Sequence, residues 1–243
     1  MTLPRLYHDL SDLWPILSPP SDYLIESKAI RRLLHERIRP RHRPHLLELG
    51  GGGGHGLSHL ADGFRCAAVD LSHSMLENCR RLNPGIETYL GDMRAVRLDR
   101  IFDAVLLHDA IDYMLVESDV HKALMTARAH LNPGGVLLVG PTYTRESFVN
   151  HQVEHDQRRC GDLTLTYLSY IHDPDPSDST FEMVLSIIHN SGGQVRLIED
   201  RHRCGLFTLD RWRAMLDGSG FDAELVTDDL PWTLFVAIKR SNS

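Results

Sequence analysis

The chain has no long apolar run. Nowhere do the roughly 18 consecutive apolar residues of a spanning helix occur. The opening stretch, MTLPRLYHDLSDLW, puts acids and polar groups where a secretory leader needs its apolar centre. Cysteine is sparse and scattered. Cys66, Cys79, Cys160 and Cys204 form no CxxC pair, so neither a zinc knuckle nor a disulfide framework is indicated. We therefore expect a reduced, cytoplasmic protein with no membrane partner. Blocks of like charge are missing too: 26 Lys and Arg stand against 33 Asp and Glu, a net charge of −7. A polyanion would be repelled, so no nucleic-acid partner is expected. The only basic patch, RRLLHERIRPRHRP from Arg31, reads as the solvated end of a helix running into a linker. No internal repeat is evident, and the only low-complexity stretch is a run of five glycines.

What is present is an alternation. The 243 residues suit one large α/β domain, or a domain plus a small accessory. Apolar spacing at Ile30, Leu33, Leu34 and Ile38 predicts a helix over 22–38, closed by Pro40. Strand-like runs follow at 45–49, 64–70, 86–91, 102–108 and 135–140, separated by helical stretches at 55–62, 72–82 and 117–131. Ser74 with Glu77 has capping-box spacing, and Asn83-Pro84 ends that helix. Short continuous apolar strands between helices predict a parallel sheet covered on both faces. Three strands at 163–173, 180–190 and 195–207, joined by turn signals alone, predict an antiparallel meander. A helix over 208–220 and two strands, 223–228 and 232–240, complete the chain; the Asp229-Leu230-Pro231 connection is too short for a crossover, so these strands must be antiparallel.

The chemistry begins at LLELGGGGGHG, residues 46–56. Lying after a strand and before a helix, the glycines make a loop whose backbone a ligand can approach, rather than a linker. Two registers fit: Gly51, Gly53 and Gly56 as GxGxxG, or Glu48 followed by Gly50, Gly52 and Gly54. No Lys-Ser/Thr follows, which excludes a phosphate loop. Asp70, at the end of the second strand, is placed to accept hydrogen bonds from a ribose. It suits NAD and an adenosine-containing sulfonium cofactor equally, or it caps the helix beginning at Ser72.

Further motifs separate the two. ELGGGGG, VDLSHSML, GDMR, FDAVLLHDAIDYM and LNPGGVLLV follow one another over residues 46–140, with an antiparallel pair ending the chain. In this order and spacing the chain resembles class I S-adenosylmethionine-dependent methyltransferases. The resemblance implies a doubly wound, mostly parallel seven-stranded sheet of Rossmann-like form, with a small antiparallel sheet inserted. It divides the chain into an N-terminal helical and aromatic cover (1–40), a core (41–144 and 207–243) and an insert (145–206). S-adenosylmethionine is the implied cofactor. Gly50, Gly52 and Gly54 would lie along its methionine part and ribose, and Glu48 would orient the loop or the ammonium. Asp70 would hold the ribose, Asp92 and Met93 the adenine amine, and Leu71 and Met75 the faces of the base. His108 would face the methyl-bearing sulfur. The loop departs from relatives at Gly51 and Gly53, where Cys or Ala and a hydroxyl residue are usual.

HRCGLFTLDRWRAMLDGSGF, GDMR and the meander narrow the resemblance to small-molecule N-methyltransferases, those acting on amino groups of nucleotide-linked deoxysugars most closely. The Tyr7, Trp14 and Tyr23 segment resembles their aromatic segment that folds over the cofactor. The insert would roof the acceptor pocket or pair two copies in a homodimer. His108 is then the expected base or orienter, while Tyr23, Asp109, Asp112 and Tyr143 are expected to face a small-molecule acceptor, with Arg203 on any acceptor anion. Two acids beside the site favour an amine. A small-molecule O-methyltransferase, a nicotinamide oxidoreductase and a noncatalytic cofactor-binding protein remain alternatives. The His151–His155 stretch matches HxxEH spacing, but in a chain with 15 histidines we expect no metal there.

Overall fold

A computed structural model describes residues 3–38, 42–226 and 232–241. Seven strands form one sheet: β1 (His45–Leu49), β2 (Arg65–Asp70), β3 (Glu87–Leu90), β4 (Phe102–His108), β5 (Leu131–Gly140), β10 (Phe221–Leu225) and β11 (Phe235–Lys239). Their spatial order is β10-β11-β5-β4-β1-β2-β3. All neighbours run parallel except β11, which is antiparallel to both β5 and β10. The expected sheet is thus present. Pro40 and the 229–231 connection lie outside the described residues.

The central strands are largely apolar because both faces are covered. Leu47, Leu49, Val105, Leu107, Leu137 and Val139 pack beneath α5 (Glu117–His130) and α6 (Leu209–Gly218). Leu46, Ala104, Leu106, Val136 and Leu138 pack on the other face with α2 (Leu24–Arg37) and the short α3 (His55–Ser58). Strand parity decides the site: Glu48 shares a face with Leu46, and His108 with Leu106, so both polar side chains point toward α2. The helix α4 (His73–Leu82) is capped by Ser72, whose Oγ accepts from the Met75 amide at 3.1 Å. The cap therefore sits two residues before the expected Ser74. Residues 132–134, between the expected helix and strand, fall within β5, where pairing passes from Phe102–Leu131 to Ala104–Val136 across an irregularity.

The insert is a four-stranded antiparallel sheet, β6 (Gln152–Cys160), β7 (Leu163–His172), β8 (Thr180–Ser191) and β9 (Gln194–Gly205), in that order. Three of these strands were expected. The fourth, β6, is an edge strand of sequence QVEHDQRRC, whose charges protect an open edge and erase the apolar alternation that would betray it. Its start contains the HxxEH match, on a strand rather than the helix that motif requires. The inner face of the sheet packs Leu165, Leu185 and Ile187 against Leu6, Leu17 and neighbours from the N-terminal segment.

Candidate active site

A cavity of about 380 Å³ lies at the C-terminal ends of β1, β2, β4 and β5, between the parallel sheet, the N-terminal segment and the insert. That is within the roughly 300–1,000 Å³ of ligand pockets and at the place where open α/β sheets bind them.

One end is the glycine loop. Gly50, Gly52 and Gly54 have φ of +86°, +49° and +70°, whereas Gly51 and Gly53 do not enter the left-handed region. Backbone conformation thus picks out the Gly50, Gly52, Gly54 register. A Cβ on Gly50 would stand 2.3 Å from the Ala110 Cβ, and one on Gly54 2.5 Å from Cys79 Sγ. The Asp70 carboxylate is built into this loop, accepting from the Gly52 amide at 2.9 Å and the Ser72 amide at 2.8 Å. Ribose-holding and helix-capping geometry thus coexist in one side chain, and burial raises its carboxyl above the ordinary range. Glu48 lies behind the loop, pushed up to about 8 by burial. Leu71, Met75 and Met93 line the wall as expected.

Gly53 has a physical explanation. A Cβ there would come within 3.0 Å of Trp14 Cδ1 and 3.3 Å of His55 Nε2. The Trp14 indole stacks on His55 with an interplanar angle of 9°, so the missing hydroxyl leaves room for the aromatic cover.

The other end is built around His108. Its Nδ1 lies 3.2 Å from both Glu26 Oε1 and Asp109 Oδ1. Burial alone would lower the imidazole, but Asp109, Glu26 and Glu48 outweigh it and push it up to about 10. At neutral pH it is an imidazolium held between carboxylates. The ring needs Gly140 beside it, because a Cβ there would sit 2.4 Å from His108 Cδ2. Asp109 adopts φ +44°, a strained conformation for a non-glycine residue. Asp112 is 4% exposed; its Oδ2 accepts from the Thr142 amide at 3.0 Å, while Oδ1 has no partner. Burial pushes Asp112 up to about 8.

Above these residues runs a buried chain of polar groups. Tyr113 Oη donates to Tyr7 Oη at 3.0 Å and lies 2.6 Å from His202 Nδ1, and His202 Nε2 donates to Asp200 Oδ2 at 3.1 Å. Asp200 also accepts from the amides of Arg5 and Leu6, which fastens the N-terminal segment to the insert. Tyr23 and Tyr143 line the cavity as expected; Tyr23 Oη is 2.9 Å from Ser18 Oγ, and Tyr143 packs edge-on against Phe181.

Two expected residues are not brought to the cavity. Asp92 turns to Arg94, whose Nε lies 3.0 Å from both its oxygens and whose Nη1 continues to Asp119 at 2.7 Å. Arg203 sits on the outer face of β9, held by Asp178 and Thr180, because strand alternation sends Cys204 inward instead. Conversely, Glu26, Tyr113, Glu154 and His202 escaped notice in the sequence. Glu26 looks like any acid in an amphipathic helix, and its partner lies 82 residues away; only an alignment of covarying positions would have joined them.

Comparison with known proteins places this geometry. Residues 47–139 match a family model described as a methyltransferase domain. The chain is 30% identical to the dTDP-3-amino-3,4,6-trideoxy-alpha-D-glucopyranose N,N-dimethyltransferase of Streptomyces venezuelae, over 89% of this chain and 90% of that protein. The solved sugar N-methyltransferase KedS8 of a Streptoalloteichus species superposes with a TM-score of 0.86 at 27% identity, covering 99% of this chain and 95% of the other. CalS10 of Micromonospora echinaspora, an amino pentose methyltransferase solved with S-adenosylmethionine bound, gives 0.79 at 26% identity over 89% and 91%.

Proposed function

The chain belongs to the S-adenosylmethionine-dependent methyltransferases, enzymes that pass a methyl group from this cofactor to a small-molecule acceptor, and from that premise we propose that its acceptor nitrogen is the amino group of a deoxysugar. The observation carrying this reading is the pairing within one cavity of a left-handed glycine loop with a wall bearing Asp109 and Asp112. The relatives above, which act on amino sugars, support it.

In this reading residues 41–144 and 207–243 carry the cofactor, residues 1–40 cover it, and residues 145–206 roof the acceptor. The three left-handed glycines leave the backbone bare where a Cβ would close the cradle, which fits an extended cofactor. Glu48, Gly50, Gly52, Gly54, Asp70, Leu71, Met75 and Met93 hold it, and Tyr7 closes over it. Asp92 acts one step back, fixing the turn that presents Met93. When bound, S-adenosylmethionine supplies an electrophilic methyl carbon. The protein's part is to align an acceptor nitrogen with it and to exclude water. His108 is the orienter: as an imidazolium held by Glu26 and Asp109, it fixes the floor beside the reacting atoms and is already protonated at neutral pH. Asp112 takes the amine's N–H, and Tyr23 and Tyr143 bound the acceptor. An amine needs only to shed its ammonium proton, whereas a hydroxyl would need a strong base.

Isothermal calorimetry with S-adenosylhomocysteine and a methyl-transfer assay on an amino deoxysugar, read by mass spectrometry, test the proposal. Heat without product would refute the acceptor, and no heat would refute the assigned cofactor residues.

The proposal extends to assembly and location. The outer face of the insert leaves Val153, Leu168, Ile188, Val195 and Leu197 exposed by 53, 42, 45, 64 and 68%, which supports a homodimer through that face. A monomer in sedimentation at all concentrations would dismiss it. The lack of a nucleic-acid partner is supported by the net charge of −7, and a cytoplasmic location by the scattered, unpaired cysteines. No helix among the described residues is long and apolar enough to cross a membrane.

A further inference from the structure

The cavity lining is rich in acids and holds one cation, the His108 imidazolium, which Glu26 and Asp109 already flank. Glu26, Glu48, Asp70, Asp109, Asp112 and Glu154 contribute carboxyl groups, and among the described residues no lysine or arginine lines it. None of the arginines of the insert and its flanking loop lines the cavity, and three of them are held by carboxylates elsewhere. Arg158 is held by Asp22 at 3.0 Å and Asp156 at 2.8 Å, Arg145 by Asp173 at 3.2 Å, and Arg203 by Asp178 at 3.1 Å. Outside the described residues the sequence adds only Arg39 and Arg41 as side-chain cations of this kind, just ahead of β1, whose opposite end carries the glycine loop.

Not all of these acids are available. Asp70 is occupied by two backbone amides, and Glu26 and Asp109 flank His108. Asp112 is different. Among the described residues its buried Oδ1 has no partner, and such an atom is costly unless a ligand donor completes it. Glu154 stands exposed on the edge strand at the mouth of the cavity, so a second carboxylate meets whatever projects from the acceptor.

A diphosphate is recognised by arginines, lysines, a metal or a helix N-terminus. The acceptor side of this cavity offers carboxylates instead. We infer that the acceptor enters as a cation with no diphosphate attached: an amino sugar already joined by a glycosidic bond to a neutral or cationic partner, its nitrogen received by Asp112 Oδ1. A glycosyl transfer, which releases the nucleoside diphosphate, must then supply this substrate. The 30% identical relative is named for a dTDP-linked sugar, and the inference assigns this chain a different acceptor.

The inference rests on the amino-sugar reading, and a matched pair of acceptors separates the two. The probes are dTDP-3-amino-3,4,6-trideoxy-alpha-D-glucopyranose and the methyl glycoside of the same amino sugar. With the full chain and saturating S-adenosylmethionine, kcat/KM for the glycoside should exceed that for the dTDP sugar by at least about tenfold. Added salt should lower KM for the dTDP sugar and raise it for the glycoside, because screening weakens both repulsion and attraction. Asp112→Asn should cut kcat/KM for the glycoside about tenfold or more while leaving S-adenosylhomocysteine affinity within about twofold, as expected for losing a charge-assisted bond. Glu154→Lys, at an exposed position where folding is not at stake, should narrow the gap between the two acceptors. A preference for the dTDP sugar with the opposite salt response would overturn the inference and leave the amino-sugar reading standing. Methylation of neither probe would overturn both.

Discussion

At the loop end of the cavity Asp70 is tied to backbone, and the shape comes from three glycines held at positive φ. At the roof end the shape comes from side chains drawn from many separate stretches, and among the described residues the buried Asp112 Oδ1 has no partner. The first construction serves a ligand that is the same for every member of a family. The second can change its ligand by single substitutions while the sheet beneath stays as it is. This is why identity of about 30% carries the cofactor securely across relatives but leaves the acceptor to be argued from charge.

Substitutions that separate the two ends sharpen this contrast. Gly50→Ala should be the most damaging, since the new methyl meets Ala110 and the backbone must hold a positive φ. Unfolding should become easier by about 2–3 kcal/mol, and S-adenosylhomocysteine binding should vanish in calorimetry. Asp70→Ala should weaken that binding by about 1–3 kcal/mol, the usual cost of losing hydrogen bonds to a charged group. An unchanged affinity would remove Asp70 from the loop end's function. Tyr113→Phe strips the bonds to Tyr7 and His202. It should cost about 1–2 kcal/mol of stability and raise KM for the acceptor, with cofactor affinity unmoved; a change confined to cofactor affinity would dissolve the distinction between the ends.

Acidity should show at both ends together. Burial pushes Glu48 and Asp112 up to about 8, and the carboxylates around His108 push it up to about 10. Between the ordinary carboxylate range and about 8 the folded chain therefore holds more protons than the unfolded one, so stability falls as pH rises through that window. The stabilisation from His108 is whole below about 6.5, its unfolded value, and is lost as pH climbs through about 10. Scanning calorimetry of the ligand-free protein should find Tm declining from about pH 5.5 to 9. Arg203→Ala should do least. This exposed pair is worth under about 0.5 kcal/mol, and activity should stay within about twofold; a large loss would restore Arg203 to the roof.

The loop end was largely legible in the sequence because it is local. Glu48 to Met93 runs through β1, α3, β2, α4 and β3 in order, and each acid stands at or near the end of a strand. Even so, GGGGG permitted two registers until the φ values chose, and Gly53 looked like a defect until Trp14 was seen against it. Asp92, expected on the adenine amine, turns to Arg94 instead. An acid at a strand end can turn toward a ligand or toward an arginine two residues on, and no spacing rule distinguishes these. The roof end was mostly illegible. Its pairings, Glu26 with His108 and Tyr113 with His202, join residues 82 and 89 apart, and β6 hid as a strand because an edge needs charge where a core strand needs apolar alternation.

One stretch belongs to both ends. Between Arg5 and Trp14 the chain lays its indole beside Gly53, gives the Tyr7 carbonyl to Ser72 Oγ, and sets Tyr7 Oη against Tyr113 while Asp200 grips two of its amides. A strap shared in this way makes the cofactor and acceptor pockets thermodynamically reciprocal: by whatever factor one ligand alters the other's affinity, the effect returns in equal measure. Whatever shifts the strap at one pocket is therefore felt at the other.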